Sequence, residues 1–374
     1  MKCLIIAGLA ESLVNFRGPL LRTLVARGHA VHVAAPGLAA DPVTCAALKE
    51  IGVQVHEIPF DRTGLSPASD LRCLRQLTQL MRAERIEAVM GYTIKPVIWG
   101  LLAARAARVP HRFALITGLG YAFTGEATGK RRLVQLVARG LYKLALRGAH
   151  KVMFQNPDDE ALFRDQAILP ARIPSVVVNG SGVDLDHFPR MPLPDGPPQF
   201  LLIARLLGDK GIREYMRSAR ALRADHPGCV FHILGGLDSN PDGIKEAEIR
   251  NWQDEGLIEW HGSQPDVRPY LAACHVYVLP SYYREGTPRT ILEALATGRA
   301  VVTTDAPGCR ETVTDGENGF LVPVRDAPAL TAALRRFAED PALIERMGAA
   351  SYRLAQDKYD VHKVNAVMLR EMGL

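Results

Sequence analysis

The sequence lacks several features that define common classes of protein. It has no apolar run approaching the roughly 18–20 residues that a membrane-spanning helix needs. Its first residues, Met1 to Gly8, are too short and too strand-like for a secretory signal peptide. The six cysteines are scattered without a Cys-x-x-Cys pair, which favours buried free thiols over disulfides or a zinc site. We therefore expect a cytoplasmic protein with no spanning helix.

Several cofactor and catalytic motifs are also missing. The first loop contains Gly8 and Gly18 but no Gly-x-Gly-x-x-Gly, so nicotinamide or flavin binding loses support. The eleven histidines include no His-x-x-x-His pair, and Gly-x-Ser-x-Gly is absent. Asp184-Leu185-Asp186 has the form that holds a metal–nucleotide in some enzymes, but without further carboxylates nearby it is read as a surface turn. We predict no bound cofactor and no metal site.

The charge of the chain is uneven. Residues 1–195 contain 24 Lys and Arg against 16 Asp and Glu, whereas residues 196–374 contain 21 against 24. This asymmetry indicates that the first half meets something anionic, either a nucleic acid or a membrane surface. No stretch resembles a nucleic-acid-binding module, and the basic residues are not interleaved with aromatics. We therefore predict no nucleic-acid partner.

Short apolar, β-branched runs alternate with helical patterns along the whole chain, which predicts parallel α/β units. The predicted strands are 2–7, 31–35, 53–58, 87–91, 112–117, 150–155, 174–178, 199–204, 229–234, 258–261, 275–280, 300–304 and 320–323. Helices are expected between them, including 211–225 and 288–297. The fold class is α/β, with two Rossmann-like domains, and ligands are expected beyond the carboxyl ends of the strands, in a cleft between the domains.

The domain boundary is predicted from proline content. Residues 188–198 hold five prolines and one glycine, a composition that cannot lie inside a sheet. We therefore predict an N-terminal domain over 1–188, a linker over 189–198 and a C-terminal domain over 199–355. Residues 356–374 are expected to form a helix that returns to the N-terminal domain.

Two acids, Glu285 and Glu293, flank a predicted helix start. Gly286, Thr287 and Pro288 form a tight turn, with Thr287 as the expected N-cap and Pro288 at the first helical position. A helix start offers unpaired N–H groups and a partial positive charge to an anion. A ligand bound there by its phosphates can present a sugar hydroxyl to Glu285 and ribose hydroxyls to Glu293. The alternative is that both acids are simply solvated.

Further candidates follow strands of the second series. Arg205 closes one predicted strand and Lys210 opens the next helix, and a forked cation beside a point charge suits a diphosphate. Two solvated surface cations are the alternative. Gly235 and Gly236 follow another strand and suit close backbone approach to a nucleotide, although a plain turn explains them as well. Gly8 offers the same choice after the first strand.

A basic, amphipathic helix is predicted in the first half. Residues 127–157 contain seven basic residues and no acid. Arg132, Arg139, Lys143 and Arg147 share a stripe beside Leu133, Val137, Leu141 and Leu144. Such a helix can lie on anionic lipid, or it can pack its Leu/Val stripe on the sheet with the basic edge solvated. The residues predicted to meet a membrane are Lys130, Arg131, Arg132, Arg139, Lys143 and Arg147.

Taken together, these residues resemble the retaining family-four glycosyltransferases, which have the two-Rossmann GT-B fold. Within that family the chain is similar to bacterial N-acetylgalactosaminyltransferases that extend an undecaprenyl-diphosphate-linked sugar. The matching segments are Asn15-Phe16-Arg17, Arg112-Phe113-Ala114-Leu115, Gly118-Leu119-Gly120, Leu141-Tyr142-Lys143-Leu144, Asp184, Arg205, Lys210, Leu279-Pro280-Ser281-Tyr282, Glu285, Glu293 and 315–322. The resemblance runs nearly end to end.

The resemblance implies a role for each matching residue. Arg205 and Lys210 would hold the diphosphate of a nucleoside diphosphate sugar, with uridine favoured as the base, and Glu285 would hold the transferred sugar. The remaining donor-site residues would be Gly8, Gly235, Gly236, Gly286, Thr287, Arg289, Thr290 and Glu293, and Arg205, Lys210 and Glu285 would be catalytic. The acceptor would meet Asn15, Phe16, Arg17, Thr93, Lys95 and Gly118.

One departure from the family concerns the loop after the fourth strand. Many members carry a histidine there that contacts the donor sugar, whereas this loop reads Gly91-Tyr92-Thr93-Ile94-Lys95-Pro96, so that either Lys95 or Thr93 replaces it. The implied reaction is retaining, metal-independent transfer of a hexose or N-acetylhexosamine to a lipid-linked saccharide on the inner face of the cytoplasmic membrane, in bacterial surface glycan assembly. The alternatives are a nucleotide-sugar epimerase of the same fold and a non-catalytic partner that binds nucleotide sugars.

Overall fold

The chain folds into two compact α/β units. The computed structural model describes residues 1–60, 67–119, 129–238, 240 and 242–374, with the backbone alone at 67 and 129–131. The first unit comprises Met1–Ser181 and His362–Leu374, and the second comprises Gly182–Val361. All six cysteines are free thiols, and five of them are buried. No helix in the described part of the chain is both long and apolar enough to cross a membrane.

All thirteen predicted strands are present, and no strand end differs from its prediction by more than one residue. The strands are β1 (Lys2–Ile6), β2 (Ala30–Ala35), β3 (Gln54–Glu57), β4 (Ala88–Tyr92), β5 (His111–Ile116), β6 (Lys151–Phe154), β7 (Ser175–Val177), β8 (Gln199–Ile203), β9 (Val230–Leu234), β10 (Glu259–Trp260), β11 (Val276–Leu279), β12 (Ala300–Thr304) and β13 (Gly319–Val322). The helices are α1 (Glu11–Asn15), α2 (Gly18–Ala26), α3 (Pro42–Ile51), α4 (Pro67–Ala83), α5 (Ile94–Ala106), α6 (Gly129–Leu146), α7 (Pro157–Asp165), α8 (Ile212–Asp225), α9 (Glu246–Asp254), α10 (Arg268–Ala273), α11 (Arg289–Thr297), α12 (Ala327–Glu339), α13 (Pro341–Leu354) and α14 (Val361–Met372).

The first unit is built on a parallel seven-stranded sheet in the order β3-β2-β1-β4-β5-β6-β7. Its central strands are continuous apolar runs because helices cover both faces of the sheet. Helix α14 belongs to this unit, where Val364, Met368 and Leu369 share a core with β1 and β2. Lys151 on β6 also donates a 2.6 Å hydrogen bond to Glu371 on α14. The C-terminal helix therefore completes the first unit.

The second unit is built on a parallel six-stranded sheet in the order β10-β9-β8-β11-β12-β13. The strand order reverses between β8 and β11, as it does between β1 and β4 in the first sheet. The two sheets therefore share the doubly wound arrangement, which confirms the predicted α/β class with two Rossmann-like units. In such sheets the switch point, beyond the carboxyl ends of the strands, is where ligands bind.

The proline-rich segment 189–198 lies within the second unit, and the division between the units falls ahead of it, at Ser181 and Gly182. Its backbone carbonyls accept hydrogen bonds from that unit. Arg299 donates to the carbonyl of Pro192 at 2.9 Å, and His275 lies 2.9 Å from the carbonyl of Pro194. Prolines keep the segment out of the sheet but leave its carbonyls available, so composition alone placed the boundary too late in the chain.

Candidate active site

The switch point of the second sheet brings Lys210 and Glu285 together. Lys210 lies in the short helical turn after β8, and Glu285 lies in the loop after β11. Lys210 Nζ forms an ion pair with Glu285 Oε1, and it also lies 4.7 Å from the centroid of the Tyr283 ring. The cation is thus held between a carboxylate and the face of an aromatic ring. Two residues predicted from separate motifs share one site.

Gly211 allows the loop after β8 to pack against the loop after β11. It has a φ of 75°, and a Cβ there would lie 2.1 Å from the carbonyl oxygen of Pro280. The backbone carbonyl of Asp209 accepts hydrogen bonds from the N–H groups of Tyr282 and Tyr283, both at 2.9 Å. These contacts fix the backbone on either side of Lys210 and so hold its side chain at the edge of the sheet.

Asp209, which sequence reasoning missed, lies beside this pair. Burial raises the pKa of its carboxyl, and the nearby carboxylates of Asp242 and Glu285 raise it further against the opposing effect of Lys210. Its Oδ1 is buried and has no hydrogen-bond partner among the described residues. The sequence signal was its position between Gly208 and Lys210. The site therefore holds a second acid, Asp209, next to the Lys210–Glu285 pair.

Arg205 lies at the same edge of the sheet, immediately beyond β8. Its side chain is about half exposed, and Nη1 donates a 2.8 Å hydrogen bond to Asp238 Oδ2. Arg205 and Lys210 thus follow the same strand. The exposed guanidinium of Arg205 is open to a ligand from solvent, in contrast to the buried ammonium of Lys210.

The helix after Glu285 begins one residue later than predicted. Pro288 occupies the N-cap position with a φ of −63° and a ψ of 115° and makes no side-chain cap hydrogen bond, so the prediction of Thr287 as N-cap is wrong. Because ψ at Pro288 is extended, the first helical residue is Arg289. Thr287 is buried, and Thr290 Oγ1 accepts a 2.6 Å hydrogen bond from the hydroxyl of Tyr277. Helix α11 therefore starts at Arg289, one residue after the predicted first helical position.

Glu293 is buried on α11, which excludes the alternative that it is a solvated surface residue. Its Oε1 accepts a 2.9 Å hydrogen bond from Nε of Arg289, one turn earlier. Burial raises the pKa of the Glu293 carboxyl, and the positive charge of Arg289 opposes that rise. Gly286 is also buried, and a Cβ on Gly308 would lie 2.4 Å from the carbonyl oxygen of Gly286.

Gly235 is required by packing between strands. It has a φ of 150°, and a Cβ there would lie 1.8 Å from the carbonyl oxygen of Ala204, the residue after β8. Its N–H donates to the carbonyl of Gly262 at 2.8 Å. A Cβ on Gly236 would make only an ordinary 3.6 Å contact, with Ser263. Packing against the carbonyl of Ala204 thus accounts for Gly235, while Gly236 retains room for a ligand.

The switch point of the first sheet brings Gly8 and Thr93 together. Gly8 follows β1 and Thr93 follows β4, and a Cβ on Gly8 would lie 2.9 Å from Thr93 Oγ1. Thr93 has a φ of 68° and a ψ of 168°, a backbone conformation that residues other than glycine rarely adopt. Such strain persists only where the surrounding structure enforces it, and it is often found at functional sites. The exposed Thr93 hydroxyl thus lies at the ligand-binding edge of the first sheet.

Lys95, the other candidate in this loop, has a different environment. Its ammonium donates a 3.0 Å hydrogen bond to the buried carboxylate of Asp70 on α4. Of the two residues proposed to replace the family's histidine, only Thr93 therefore has its side chain beside Gly8. Gly118, shortly after β5, has a φ of 96°, which favours glycine at that position.

The Asn15-Phe16-Arg17 segment divides into exposed and buried parts. Asn15 ends α1, and both Asn15 and Phe16 are exposed. Arg17 is buried, with its guanidinium carbon 5.1 Å from the centroid of the Tyr92 ring. Tyr92 in turn shares a 2.7 Å hydrogen bond with Ser12 on α1. Arg17 thus contacts Tyr92, the residue immediately before Thr93.

Helix α6 presents an apolar and basic face to solvent. Leu133, Val137 and Leu144 are exposed, whereas Leu141 is partly buried and packs against the core that contains Tyr142, so only Leu141 of this stripe packs inward. The residues that face inward are Gln135, Ala138, Tyr142, Ala145 and Leu146. Arg132, Lys143 and Arg147 are exposed, and Arg139 is partly buried. The side chains of Lys130 and Arg131, also predicted to meet a membrane, lie outside the described part of the chain.

Asp184 and the segment around it form a turn within the second unit. Oδ1 of Asp184 accepts hydrogen bonds from the N–H groups of Asp186 and His187, both at 3.1 Å. This is an Asx-type turn in which one carboxylate organises its own backbone. The surface-turn reading of the Asp-x-Asp segment therefore agrees with its local geometry.

With both sheet edges described, the chain can be compared with known proteins. A family model described as Glycosyl transferases group 1 matches residues 184–354, and one described as Glycosyl transferase 4-like domain matches residues 17–180. The Anabaena protein Alr3699/HepE, solved in complex with UDP-glucose, superposes with a TM-score of 0.79 at 19% identity, covering 100% of this chain and 99% of that one. The sucrose-phosphate synthase of Thermosynechococcus elongatus also gives 0.79 at 19% identity, covering 99% and 98%. Fold and site together define a GT-B glycosyltransferase.

Two curated relatives match over most of their length. The chain is 30% identical over 345 residues to the N,N'-diacetylbacillosaminyl-diphospho-undecaprenol alpha-1,3-N-acetylgalactosaminyltransferase of Campylobacter jejuni, covering 89% of this chain and 88% of that protein. It is 29% identical over 313 residues to the UDP-Gal:alpha-D-GlcNAc-diphosphoundecaprenol alpha-1,3-galactosyltransferase of Escherichia coli, covering 78% and 76%. The chain belongs to the family-four glycosyltransferases, which confirms the resemblance inferred from its motifs.

Proposed function

We propose that this protein transfers a hexose or N-acetylhexosamine from a UDP-sugar to an undecaprenyl-diphosphate-linked saccharide during bacterial surface glycan assembly. The proposed acceptor class rests on the two curated relatives, since both act on sugars linked to diphosphoundecaprenol. The convergence of Lys210, Glu285 and the start of α11 on one sheet edge carries the donor class. The two lines of support are independent, because one comes from relatives and the other from geometry.

The donor diphosphate binds to Arg205, Lys210 and the start of α11 in this proposal. Arg205 and Lys210 supply two positive charges after one strand, and the first N–H groups of α11, at Arg289 and Thr290, supply a partial positive charge. Two cations and a helix start neutralise a leaving diphosphate without a metal ion, because the charges are fixed where negative charge develops. We therefore propose that transfer is metal-independent.

The sugar and ribose bind to the two acids. Glu285, once Lys210 turns to the diphosphate, accepts hydrogen bonds from hydroxyl groups of the transferred sugar. Glu293, buried four residues beyond Arg289, accepts hydrogen bonds from those of the ribose. The departing phosphate oxygen takes the acceptor proton, so no separate base is required. Transfer on the same face as departure retains the anomeric configuration.

The acceptor binds at the edge of the first sheet in this proposal. Thr93 and Gly8 border the reacting sugar, and Asn15, Phe16 and Gly118 border the acceptor saccharide and its diphosphate. The exposure of Asn15, Phe16 and Thr93 supports this role, because each side chain is open to a ligand. The buried Arg17 acts through Tyr92 on the position of the Thr93 loop.

The lipid end of the acceptor brings the protein to a membrane. The exposed face of α6 combines apolar side chains that no described part of the protein covers with cations that attract anionic headgroups. We propose that this face lies on the inner surface of the cytoplasmic membrane, as a peripheral contact. The protein then reaches a lipid-linked acceptor through this peripheral contact.

The donor assignment is tested by calorimetric titration with UDP- and GDP-sugars in the presence of EDTA. UDP-N-acetylgalactosamine, UDP-N-acetylglucosamine and UDP-galactose are compared with one GDP-sugar on the wild type and on Glu293→Gln. We expect binding of at least one UDP-sugar, weakened in the variant because a ribose contact is lost. Preference for the GDP-sugar, or dependence of binding on a divalent metal, would contradict the donor assignment.

A further inference from the structure

Two histidines and a glutamate meet at the outer edge of the second sheet. His232 lies on β9, Glu259 lies on the edge strand β10, and His261 follows β10 directly. Glu259 pairs in register with His232, and side chains two residues apart on a strand point to the same face. The three side chains therefore converge, although glycosyl transfer as proposed above does not use them.

The distances among the three groups fit a metal ion. His232 Nδ1 lies 3.1 Å from His261 Nε2 and 3.4 Å from Glu259 Oε2, and His261 Nε2 lies 4.0 Å from Glu259 Oε2. Ligands of a tetrahedral zinc ion, at bonds of about 2.0–2.2 Å, stand about 3.3–3.5 Å apart. Two of the three separations are already within a few tenths of an ångström of that spacing. The third, between His261 and Glu259, can shorten because the exposed Glu259 side chain is able to move.

Gln199 orients the central histidine for this role. His232 Nε2 lies 3.1 Å from Gln199 Oε1 on β8. Because an amide oxygen only accepts hydrogen bonds, Nε2 carries the proton and Nδ1 directs its lone pair at His261 and Glu259. A histidine ligand fixed by a hydrogen bond at its other nitrogen is the usual arrangement in metal sites. The ring of Tyr270 also packs on His261, with centroids 4.9 Å apart.

We propose that His232, Glu259 and His261 bind a zinc ion, with water as the fourth ligand. The ion ties the two-residue strand β10 to β9 and holds the loop that follows it. That loop includes Gly262, whose carbonyl accepts the N–H of Gly235. The site is structural, so the transfer reaction continues when the ion is removed, at a lower thermal stability.

Zinc titration tests the proposal on tag-free, full-length protein that has been treated with EDTA and desalted. Zn²⁺ is added against a chromophoric chelator, and the thermal midpoint is followed with and without one equivalent. We expect one zinc ion per chain and a higher midpoint in the wild type. His261→Ala and Glu259→Gln should each weaken binding at least about tenfold and abolish the rise in midpoint.

The matched control is His56→Ala. His32 and His56 form a stacked pair on β2 and β3, with Nδ1 and Nε2 3.0 Å apart, and they belong to no three-ligand group among the described residues. This variant should bind zinc like the wild type. Absence of zinc binding by the wild type, or unchanged affinity in both Glu259→Gln and His261→Ala, would overturn the proposal and leave a histidine–histidine hydrogen bond beside an acid. Glu259 is largely exposed, so Glu259→Gln gives an answer even if His261→Ala does not fold.

Discussion

Lys210 and Glu285 follow neighbouring strands of the second sheet and form an ion pair in which each side chain is more than four-fifths buried. Two further cations of the site also pair with carboxylates, Arg289 with Glu293 and the half-exposed Arg205 with Asp238. These carboxylates hold the cations in place before an anion arrives. We expect the donor diphosphate to take over Lys210, which releases Glu285 to bind the sugar.

Replacement of Lys210 tests its role at the diphosphate. Lys210→Ala should lower turnover by about 10²–10³-fold, because a preorganised positive charge at the leaving group is lost. Lys210→Arg should retain part of the activity, since the charge remains while the point-charge geometry changes. Initial rates at saturating donor measure the effect, with Lys245→Ala, an exposed lysine of the same unit, as control. Near-wild-type turnover of a folded Lys210→Ala protein would refute the assignment.

Glu293 should make stability depend on pH in a defined direction. Burial raises the pKa of its carboxyl above the ordinary value of 4.5, so the folded state binds its proton more tightly than the unfolded state does. The contribution of this residue to the free energy of unfolding is therefore largest below 4.5 and falls as pH rises through the raised pKa. Glu293→Gln removes the titration and should become more stable relative to the wild type as pH increases.

Urea unfolding of the wild type and Glu293→Gln at pH 4.5 and pH 8 measures this difference. Only the change with pH in the gap between the two proteins is interpreted, which cancels the titration of all other groups. Asp305→Asn, at an exposed acid of the same unit, serves as the control. If the free energy of unfolding of Glu293→Gln minus that of the wild type stays constant or falls as pH rises, the pKa of the Glu293 carboxyl is not raised in the folded protein.

Thr93 offers a test that separates strain from function. Its backbone conformation costs on the order of 1–3 kcal/mol for a residue with a side chain, and glycine removes most of that cost. Thr93→Gly should raise the free energy of unfolding by about 1 kcal/mol after the added entropy of the unfolded chain is allowed for. It should also lower transfer, because the hydroxyl beside Gly8 is lost, whereas Thr93→Ser should preserve both properties. A Thr93→Gly protein that is less stable, or fully active, would contradict this reading of the loop.

The exposed face of α6 predicts binding to anionic vesicles. Neutralising Lys143 and Arg147 together should weaken binding about thirtyfold, at about 1 kcal/mol for each cation near the surface. Leu133→Ser with Leu136→Ser, at two exposed leucines three residues apart on α6, should weaken binding through the apolar part of the same face. Cosedimentation with vesicles of phosphatidylglycerol and phosphatidylcholine measures both, at two salt concentrations.

The matched controls for this face lie on α3, in the same unit. Val43→Ser and Lys49→Gln change an exposed apolar residue and an exposed cation there. These variants should bind vesicles like the wild type. If they weaken binding as much as the α6 variants do, the effect reflects total charge and hydrophobicity, and the assignment of α6 fails.

The architecture was predictable because strand and helix patterns are local. Continuous apolar runs such as Lys2–Ile6 specify buried parallel strands, and alternating α/β units fix the doubly wound sheets. The same logic placed Arg205 and Lys210 at the ligand-binding edge, whereas Glu285 was identified from the predicted helix start beside it. It did not reveal that Lys210 and Glu285 touch, since that contact depends on the order in which strands pair.

Other features could not be predicted from the sequence because they depend on ψ angles or on packing between strands. Pro288 has a φ that suits a first helical residue, but its extended ψ makes it the cap and removes Thr287 from that role. Gly235 is explained by the carbonyl of Ala204 on a neighbouring segment. His232 lies on β9 and His261 follows β10, so their spacing in the sequence does not predict that they are in contact.

The most direct test of the central claim is a transfer assay with EDTA present. An undecaprenyl-diphosphate-linked monosaccharide is incubated with the enzyme and a panel of UDP- and GDP-sugars, and the lipid products are analysed by mass spectrometry. We predict a product heavier by one N-acetylhexosamine or hexose, formed from a UDP-sugar without metal. Release of free sugar or an epimer, with no extended lipid-linked product, would contradict the proposed reaction and acceptor.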